Sequence, residues 1–217
     1  MNEVVLGFKY KLLEPLGEGS FGKVFKGQNI FTLENVAIKI ESNDSNTKIL
    51  KHETQISKYL NKVDGIPKMR WFGKQGNFLY TVFDLLGKDF VLYKTLNGKL
   101  NINDIKKIGY QLLEIIELVH KKEIVHRDLK PDNIVMDREN KGKIYIIDFG
   151  LAKKYKNNGK HNEFKKNRPS IGSKNFCSLN VMKGYEYSRR DDLISIGYIY
   201  FIYIMMNCLG NIRKQVI

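Results

Sequence analysis

The sequence predicts an α+β fold in which a strand-rich part, residues 1–83, precedes a helix-rich part, residues 88–217, across a connector at 84–87. Three observations carry this. Up to Phe83 the apolar and aromatic residues fall in short β-branched runs broken by turn signals. Beyond Gly87 the apolar spacing changes to every third and fourth residue. The chain has 217 residues, 42% of them hydrophobic, with no internal repeat and no Gly-, Pro- or Ser-rich linker, so it has material for a sizeable core.

Taken in order, Tyr10–Leu16 and Lys23–Lys26 read as strands flanking a glycine-rich turn, and Asn35–Ile40 (NVAIKI) as a third strand. Lys48–Asn61 reads as a helix. Arg70–Phe72 and Phe78–Phe83 return to strand, separated by the turn signal KQGN at 74–77. In the second part Ile105, Ile108, Leu112, Ile115, Ile116 and Val119 mark a long amphipathic helix ending near His120, with Asn101 or Asn103 available as its cap. Short strands follow at Ile134–Met136 and Ile144–Asp148, joined by the polar turn DRENKGK. Residues 153–190 are polar and basic with few periodic signals. The run DLISIGYIYFIYIMMNCL at 192–209 is apolar on nearly every face. It is shorter than the roughly 20 apolar residues a spanning helix needs, and a buried central helix explains it equally well.

The composition excludes disordered, collagen-like and coiled-coil classes. Cys177 and Cys208 are too few for a disulfide framework and read as reduced thiols of an intracellular protein, in cytoplasm or nucleus. The start MNEVVLGFKYKLLEPLG carries no apolar run with a cleavage site, so no secretory signal is expected. Net charge is +14, and the excess is local, with eleven Lys/Arg against two Asp/Glu within 151–190. Such a surface attracts acidic or phosphorylated partners or nucleic acid. Nucleotide bias in a gene rich in Lys, Asn, Ile and Tyr codons accounts for the overall charge equally well.

Four motifs carry chemistry. Gly17-Glu18-Gly19-Ser20-Phe21-Gly22-Lys23-Val24 is a GxGxxGxV string, in which glycines let backbone approach phosphates. A dinucleotide fingerprint would open a helix here, whereas Val24-Phe25-Lys26 continues as strand, so a phosphate-covering hairpin fits better. Val36-Ala37-Ile38-Lys39 places one lysine in an apolar strand. Its ordinary fate is a solvent-facing head group; its functional reading is a cation over a triphosphate, with Glu53 as the orienting carboxylate. His126-Arg127-Asp128-Leu129-Lys130-Pro131-Asp132-Asn133 is a charged loop between apolar Ile124-Val125 and Ile134-Val135-Met136. In it Asp128 can take a hydroxyl proton, Lys130 can neutralise a transferring phosphoryl group and Asn133 offers an oxygen to Mg²⁺. Asp148-Phe149-Gly150 adds a second hard-oxygen ligand at the end of a buried strand.

In this order and spacing the four resemble the protein-kinase signature set over essentially the whole chain. Asp84-Leu85-Leu86-Gly87, Ile144 through Tyr155 (IYIIDFGLAKKY), Ser178-Leu179-Asn180 and Ser188-Arg189-Arg190-Asp191-Asp192-Leu193 are similar to the casein kinase 1 family. The resemblance implies a two-lobed kinase-like fold, with a small antiparallel sheet in the first lobe and a helical second lobe. It implies ATP and Mg²⁺ as cofactors. Lys39, paired with Glu53, would contact the α- and β-phosphates, Asp128 would be the catalytic base assisted by Lys130, and Asn133 and Asp148 would hold Mg²⁺. The nucleotide site would take in Leu16, the Gly17–Val24 string, Ala37 and Lys39, the gatekeeper Phe83 and the hinge Asp84, Leu85 and Leu86. Asp192 would brace the catalytic loop, and Ser173 would sit beside the substrate near Asp128. Lys130 favours serine/threonine over tyrosine as acceptor.

The chain departs from that family in two places. Gly172-Ser173-Lys174-Asn175-Phe176 stands where the family has a Gly-Thr-Ala-Arg-Tyr-type string, so Asn175 replaces an arginine that helps bind a primed substrate's phosphate. Lys174 offers a point charge without bidentate geometry. A preference for acidic or pre-phosphorylated protein substrates is the expectation, motivated by the basic 151–190 segment. The family's Leu-Pro-Trp after the central helix is replaced by Cys208-Leu209-Gly210-Asn211, and the second lobe is expected to lack its last helices. One face of residues 198–206 would then meet water or be covered by a dimer or a partner. The competing readings are a catalytically weak ATP-binding scaffold and a basic nucleic-acid-binding module, although no recognition helix or aromatic platform supports the latter. Neither a membrane partner nor a specific nucleic acid is expected.

Overall fold

The computed structural model describes residues 4–19, 22–42, 49–88, 102–139 and 142–215, the stretch 206–215 by backbone alone. The chain divides into two compact units, Met1–Lys62 with Ile66–Leu86, and Val63–Gly65 with Gly87–Ile217.

Among the described residues the first unit is a six-stranded antiparallel sheet with one helix. Its strands are β1 (Val5–Leu6), β2 (Tyr10–Gly19), β3 (Gly22–Asn29), β4 (Asn35–Ser42), β5 (Met69–Gln75) and β6 (Phe78–Asp84), in the order β1-β2-β3-β4-β6-β5. NVAIKI shows why β4 lies inside the sheet. Val36 and Ile38 are fully buried, while Ala37 and Lys39, one residue out of phase, face the other side. Val36 and Ile38 pack with Leu6, Tyr10, Tyr80 and Val82 into one apolar cluster. Pro15 lies within β2 but at a shift in its register with β3, where a missing N–H is tolerated. Helix α1 (Ile49–Tyr59) buries Leu50 and Ile56, and its first turn is capped at long range, the Leu50 N–H donating to Glu41 Oε2 at 2.9 Å. Thr54 Oγ1 and Thr81 Oγ1, 2.8 Å apart, join α1 to β6. Strand β1 is an addition to the sequence expectation. Its two residues carry almost no periodic signal, and it is held by Gln75, whose side chain bonds the Gly7 N–H and the Val5 carbonyl.

The second unit is built on helices α2 (Ile102–Lys121) and α4 (Arg189–Gln215), with a single helical turn, α3 (Leu179–Met182), between them in sequence. The buried side of α2 comprises Ile105, Ile108, Leu112, Ile115, Ile116 and Val119, the 3.6-residue stripe the sequence displays. Gly109 lets α2 approach α4 closely, since a Cβ there would touch the Tyr200 ring at 3.0 Å. Asn101, the first candidate cap, lies outside the described residues, and Asn103 is inside the helix rather than ahead of it.

Among the described residues this unit also has three two-stranded ladders: β7 (Ile124–Val125) with β10 (Lys153–Lys154), β8 (Ile134–Met136) with β9 (Ile144–Ile146), and β11 (Lys156–Asn157) with β12 (Lys160–His161). Strand β9 stops two residues short of the expected Asp148, because Asp148 turns into the left-handed region at φ +63°. Segment 153–190 is more regular than its periodicity indicates. Asn158 and Gly159, at φ +49° and +75°, form the two-residue turn of the β11–β12 hairpin. Helix α4 buries Asp192, Ser195, Ile196, Ile199 and Tyr203, but presents Tyr198, Phe201 and Met205 to solvent, and it runs past the expected end at Leu209. Among the described residues no helix is long and apolar enough to cross a membrane.

Candidate active site

In the first unit the register of three strands positions the lysine. Lys39 of β4 lies between Val24 of β3 and Thr81 of β6, on the face opposite the apolar cluster. Its Nζ is 2.6 Å from Glu53 Oε2 of α1, with the two side chains 12% and 4% exposed. A carboxylate this buried needs a cation of good geometry to offset its desolvation, so the pair orients both groups. The ordinary solvent-facing fate of a strand lysine does not apply here.

The glycine string forms the far ends of β2 and β3, paired Gly17 to Val24, Glu18 to Lys23 and Gly19 to Gly22. Gly22 has φ +136°, and a Cβ there would run into the Ile40 carbonyl oxygen, so the position demands glycine. Ser20 and Phe21 lie outside the described residues. Leu16 is half exposed, and the Glu18–Lys23 ion pair is a solvent-exposed 3.8 Å contact of little energetic weight. Phe83 and Asp84 end β6, and Leu85 and Leu86 follow, all four half-buried. The Asp84 N–H donates to the Lys68 carbonyl at 3.0 Å, and its carboxylate accepts from Arg70 Nε at 2.5 Å. That bond, reinforced by Glu34, raises the Arg70 guanidinium above its ordinary value despite partial burial.

In the second unit the charged loop 126–133 runs from β7 to β8, ending in a 3₁₀ turn at Pro131–Asn133. Asp192 of α4 holds its start from below. This fully buried carboxylate accepts from the His126 N–H (2.9 Å) and Tyr187 hydroxyl (2.8 Å), from the Arg127 N–H (3.0 Å), and pairs with His120 Nε2 (2.8 Å). Burial alone would raise its pKa, but the His120 bond and the His126 N–H outweigh it and hold the carboxyl below the ordinary range. Burial, with Asp192 alongside, pushes the Tyr187 phenol far up, so it stays protonated and donates. The Asp128 N–H donates to His126 Nδ1 at 3.2 Å, which assigns the ring proton to Nε2, 3.0 Å from the Ile147 carbonyl. The same ring stands edge-on to Phe149, centroids 4.7 Å apart.

Asp128 is therefore fixed from several sides. Its Oδ1 accepts from both the Ser173 N–H (2.7 Å) and the Ser173 hydroxyl (2.8 Å). Its Oδ2 is 3.0 Å from Lys130 Nζ and 3.4 Å from Asn133 Nδ2. Gly172 makes the approach of Ser173 feasible, since at φ +87° it is pressed against the Arg127 carbonyl, where a Cβ would collide. Asn133 donates its amide to the Asp128 carbonyl at 2.8 Å, so its Oδ1 is the atom left for a cation. Its own carbonyl accepts from the Ile147 N–H at 3.0 Å, which brings Asp148 alongside. Among the described residues no group of three or more His, Cys, Asp or Glu is gathered to hold a metal. An amide oxygen and a carboxylate suit Mg²⁺, which keeps waters and phosphate oxygens as its remaining ligands.

The second unit thus brings together Asp128, Lys130, Asn133, Asp148 and Ser173, and the first unit Lys39, Glu53, Ala37 and the described glycines. Residue-type reasoning passes over Gly172, whose need is backbone sign. It also passes over Asp191, fully buried and bonded to the Ser178 hydroxyl (2.5 Å) and Ser188 N–H (2.8 Å). The doubled acid Asp191-Asp192 ahead of an apolar run is the signal that marks both. The family model described as protein kinase domain matches residues 10–212.

Proposed function

The chain belongs to the protein kinase domain family, and from that premise we propose that it is an ATP-dependent serine/threonine kinase of casein kinase 1 type. Its substrates would be acidic or phosphate-primed proteins. Protein kinase domains use ATP with Mg²⁺, which neutralises charge on the β- and γ-phosphates during transfer. The observation that carries the reading is the state of Asp128, a buried carboxylate held by Ser173 on one oxygen and by Lys130 and Asn133 on the other.

In this reading Asp128 orients the substrate hydroxyl and takes its proton as the new O–P bond forms and the β–γ bridge bond breaks, leaving ADP. Lys130 balances the negative charge carried by the transferring group. Lys39, held by Glu53, would grip α- and β-phosphate oxygens, and Asn133 Oδ1 with Asp148 would hold the metal. The paired strand ends Leu16–Gly19 and Gly22–Val24 would cover the phosphates with backbone N–H groups, while Ala37, Phe83 and the Asp84–Leu86 backbone would take the adenine. Catalysis is mainly positioning and electrostatics, which is why so many of these groups are themselves held by hydrogen bonds.

The basic 151–190 segment and exposed Lys174 support the preference for acidic or primed substrates. Exposure of Tyr198, Phe201 and Met205 supports a second copy or a partner on that face of α4. The buried free thiol of Cys177 supports a reducing compartment, cytoplasm or nucleus. The test is transfer of radiolabelled γ-phosphate to an acidic protein by wild type, D128N and K39M. Activity in wild type that disappears in both variants supports the enzyme. Nucleotide binding without transfer in wild type replaces it with a scaffold, and equal rates for primed and unprimed peptides remove the priming preference.

A further inference from the structure

Away from the catalytic carboxylate, the second unit holds another acid among cations. Glu186 lies in the link between α3 and α4, its side chain 11% exposed. Its Oε1 is 2.6 Å from Lys153 Nζ and its Oε2 is 3.0 Å from Arg168 Nε. These partners come from separate stretches. Lys153 is in β10, laddered onto β7, and Arg168 follows the β11–β12 hairpin. The backbone supports the same junction, with the Glu186 N–H on the Lys165 carbonyl and the Arg168 N–H on the Gly184 carbonyl.

A third cation is Arg127, which precedes Asp128. Its Nε donates to the Leu151 carbonyl at 2.5 Å, and its N–H is held by Asp192. Burial pushes the Arg127 guanidinium down from its ordinary value, and the Glu186 charge is the largest pull against that. Burial would likewise raise the Glu186 carboxyl, but Lys153, Arg168 and Arg127 hold it below the carboxylate range. The only other acid in 151–190 is Glu163, which is exposed. Without Glu186 the cations Lys153 and Arg168 would be left without their shared acid in a partly desolvated place.

We infer that Glu186 is a positioning residue for the reaction at Asp128. Its carboxylate is the built-in anion that clamps Lys153 and Arg168, while Arg127 holds the Leu151 carbonyl, and so fixes segment 151–168 on the catalytic loop. The role in transfer rests on the kinase reading above; the clamp itself does not. The segment is fastened by a charge the chain encodes.

The experiment compares the full chain with E186Q, which keeps the shape and removes the charge, and E186D, which keeps the charge. Each is measured for tryptic cleavage within 153–168 and for kcat and KM of transfer to an acidic protein. Both are repeated with millimolar inorganic phosphate at matched ionic strength. E186Q is expected to be cleaved about tenfold faster and to lose about tenfold in kcat, with KM for ATP within about twofold. E186D is expected to stay near wild type. Phosphate should slow cleavage of E186Q and recover part of its kcat, with no such effect on wild type. Wild-type cleavage and turnover in E186Q overturn the proposal, as does a loss that neither phosphate nor E186D relieves. Should E186Q fail to fold, the K153M/E186Q or R168Q/E186Q double variant, relieved of one cation, must fold, and failure of both overturns it. If wild type transfers no phosphoryl group the kinase reading falls, while the cleavage results still decide the clamp.

Discussion

Replacing Asp192 with Asn changes almost no volume and removes one buried charge, so its consequence follows from the four bonds alone. Oδ1 takes the Arg127 N–H and the Tyr187 hydroxyl, and Oδ2 takes the His126 N–H and meets His120. The amide oxygen of Asn can serve only one of these pairs, and its NH₂ then faces a buried N–H that has lost its acceptor. That orphaned donor costs about 1–3 kcal/mol, and each surviving bond weakens on losing its charge. Together D192N should destabilise by about 3–5 kcal/mol, a large part of the roughly 5–15 kcal/mol available to a folded domain. Chemical denaturation followed by circular dichroism reads this as a lowered midpoint at unchanged slope. The donors at 126 and 127 lead directly into Asp128, so transfer should fall as well. A loss under about 1 kcal/mol, with full transfer, would refute the claim that Asp192 carries the loop.

The other expectations follow from the same geometry. K39M alone strands the Glu53 carboxylate and should destabilise by on the order of 2 kcal/mol, whereas K39M with E53M should melt near wild type; equal losses in both contradict a coupled pair. G172A should destabilise by about 1–3 kcal/mol and lower kcat, because the left-handed backbone and the Arg127 carbonyl both reject a Cβ, and a silent substitution would count against the tight approach. Asp192 and Glu186 have folded pKa values below their unfolded ones, so their contribution is complete above the ordinary carboxylate range and is lost as pH falls through the folded values. Denaturation midpoints should therefore fall steeply in acid, and less so in D192N; parallel pH curves would sink this.

Much of this architecture is readable in the residues because it is local. NVAIKI announces a strand with Lys39 off its apolar face, and the Ile105–Val119 stripe announces α2, since both patterns report burial directly. The loop from His126 to Asn133 stands out by its charge between two apolar runs. What is not readable is set by distant partners or by the sign of φ. The Asn158–Gly159 turn is a strong hairpin signal hidden by the absence of apolar alternation around it. Strand β9 ends at Ile146, two residues before Asp148 turns left-handed, which Ile144–Asp148 as a string does not reveal. Glu186 looks like any surface glutamate until Lys153, thirty-three residues earlier, is found against it. The Lys39–Glu53 pair lies between these cases, because a carboxylate fourteen residues away is one choice among several until α1 is laid on the sheet.

The central claim is that Asp128 acts on the hydroxyl during phosphoryl transfer and does not hold the nucleotide. Single-turnover transfer at saturating Mg-ATP, measured beside ATP affinity for wild type and D128N, addresses it directly. Wild type should transfer, and D128N should be slower by about 10²–10⁴-fold with ATP affinity unchanged. A D128N enzyme that transfers at the wild-type rate, or a wild type that binds ATP and never transfers, would contradict the account.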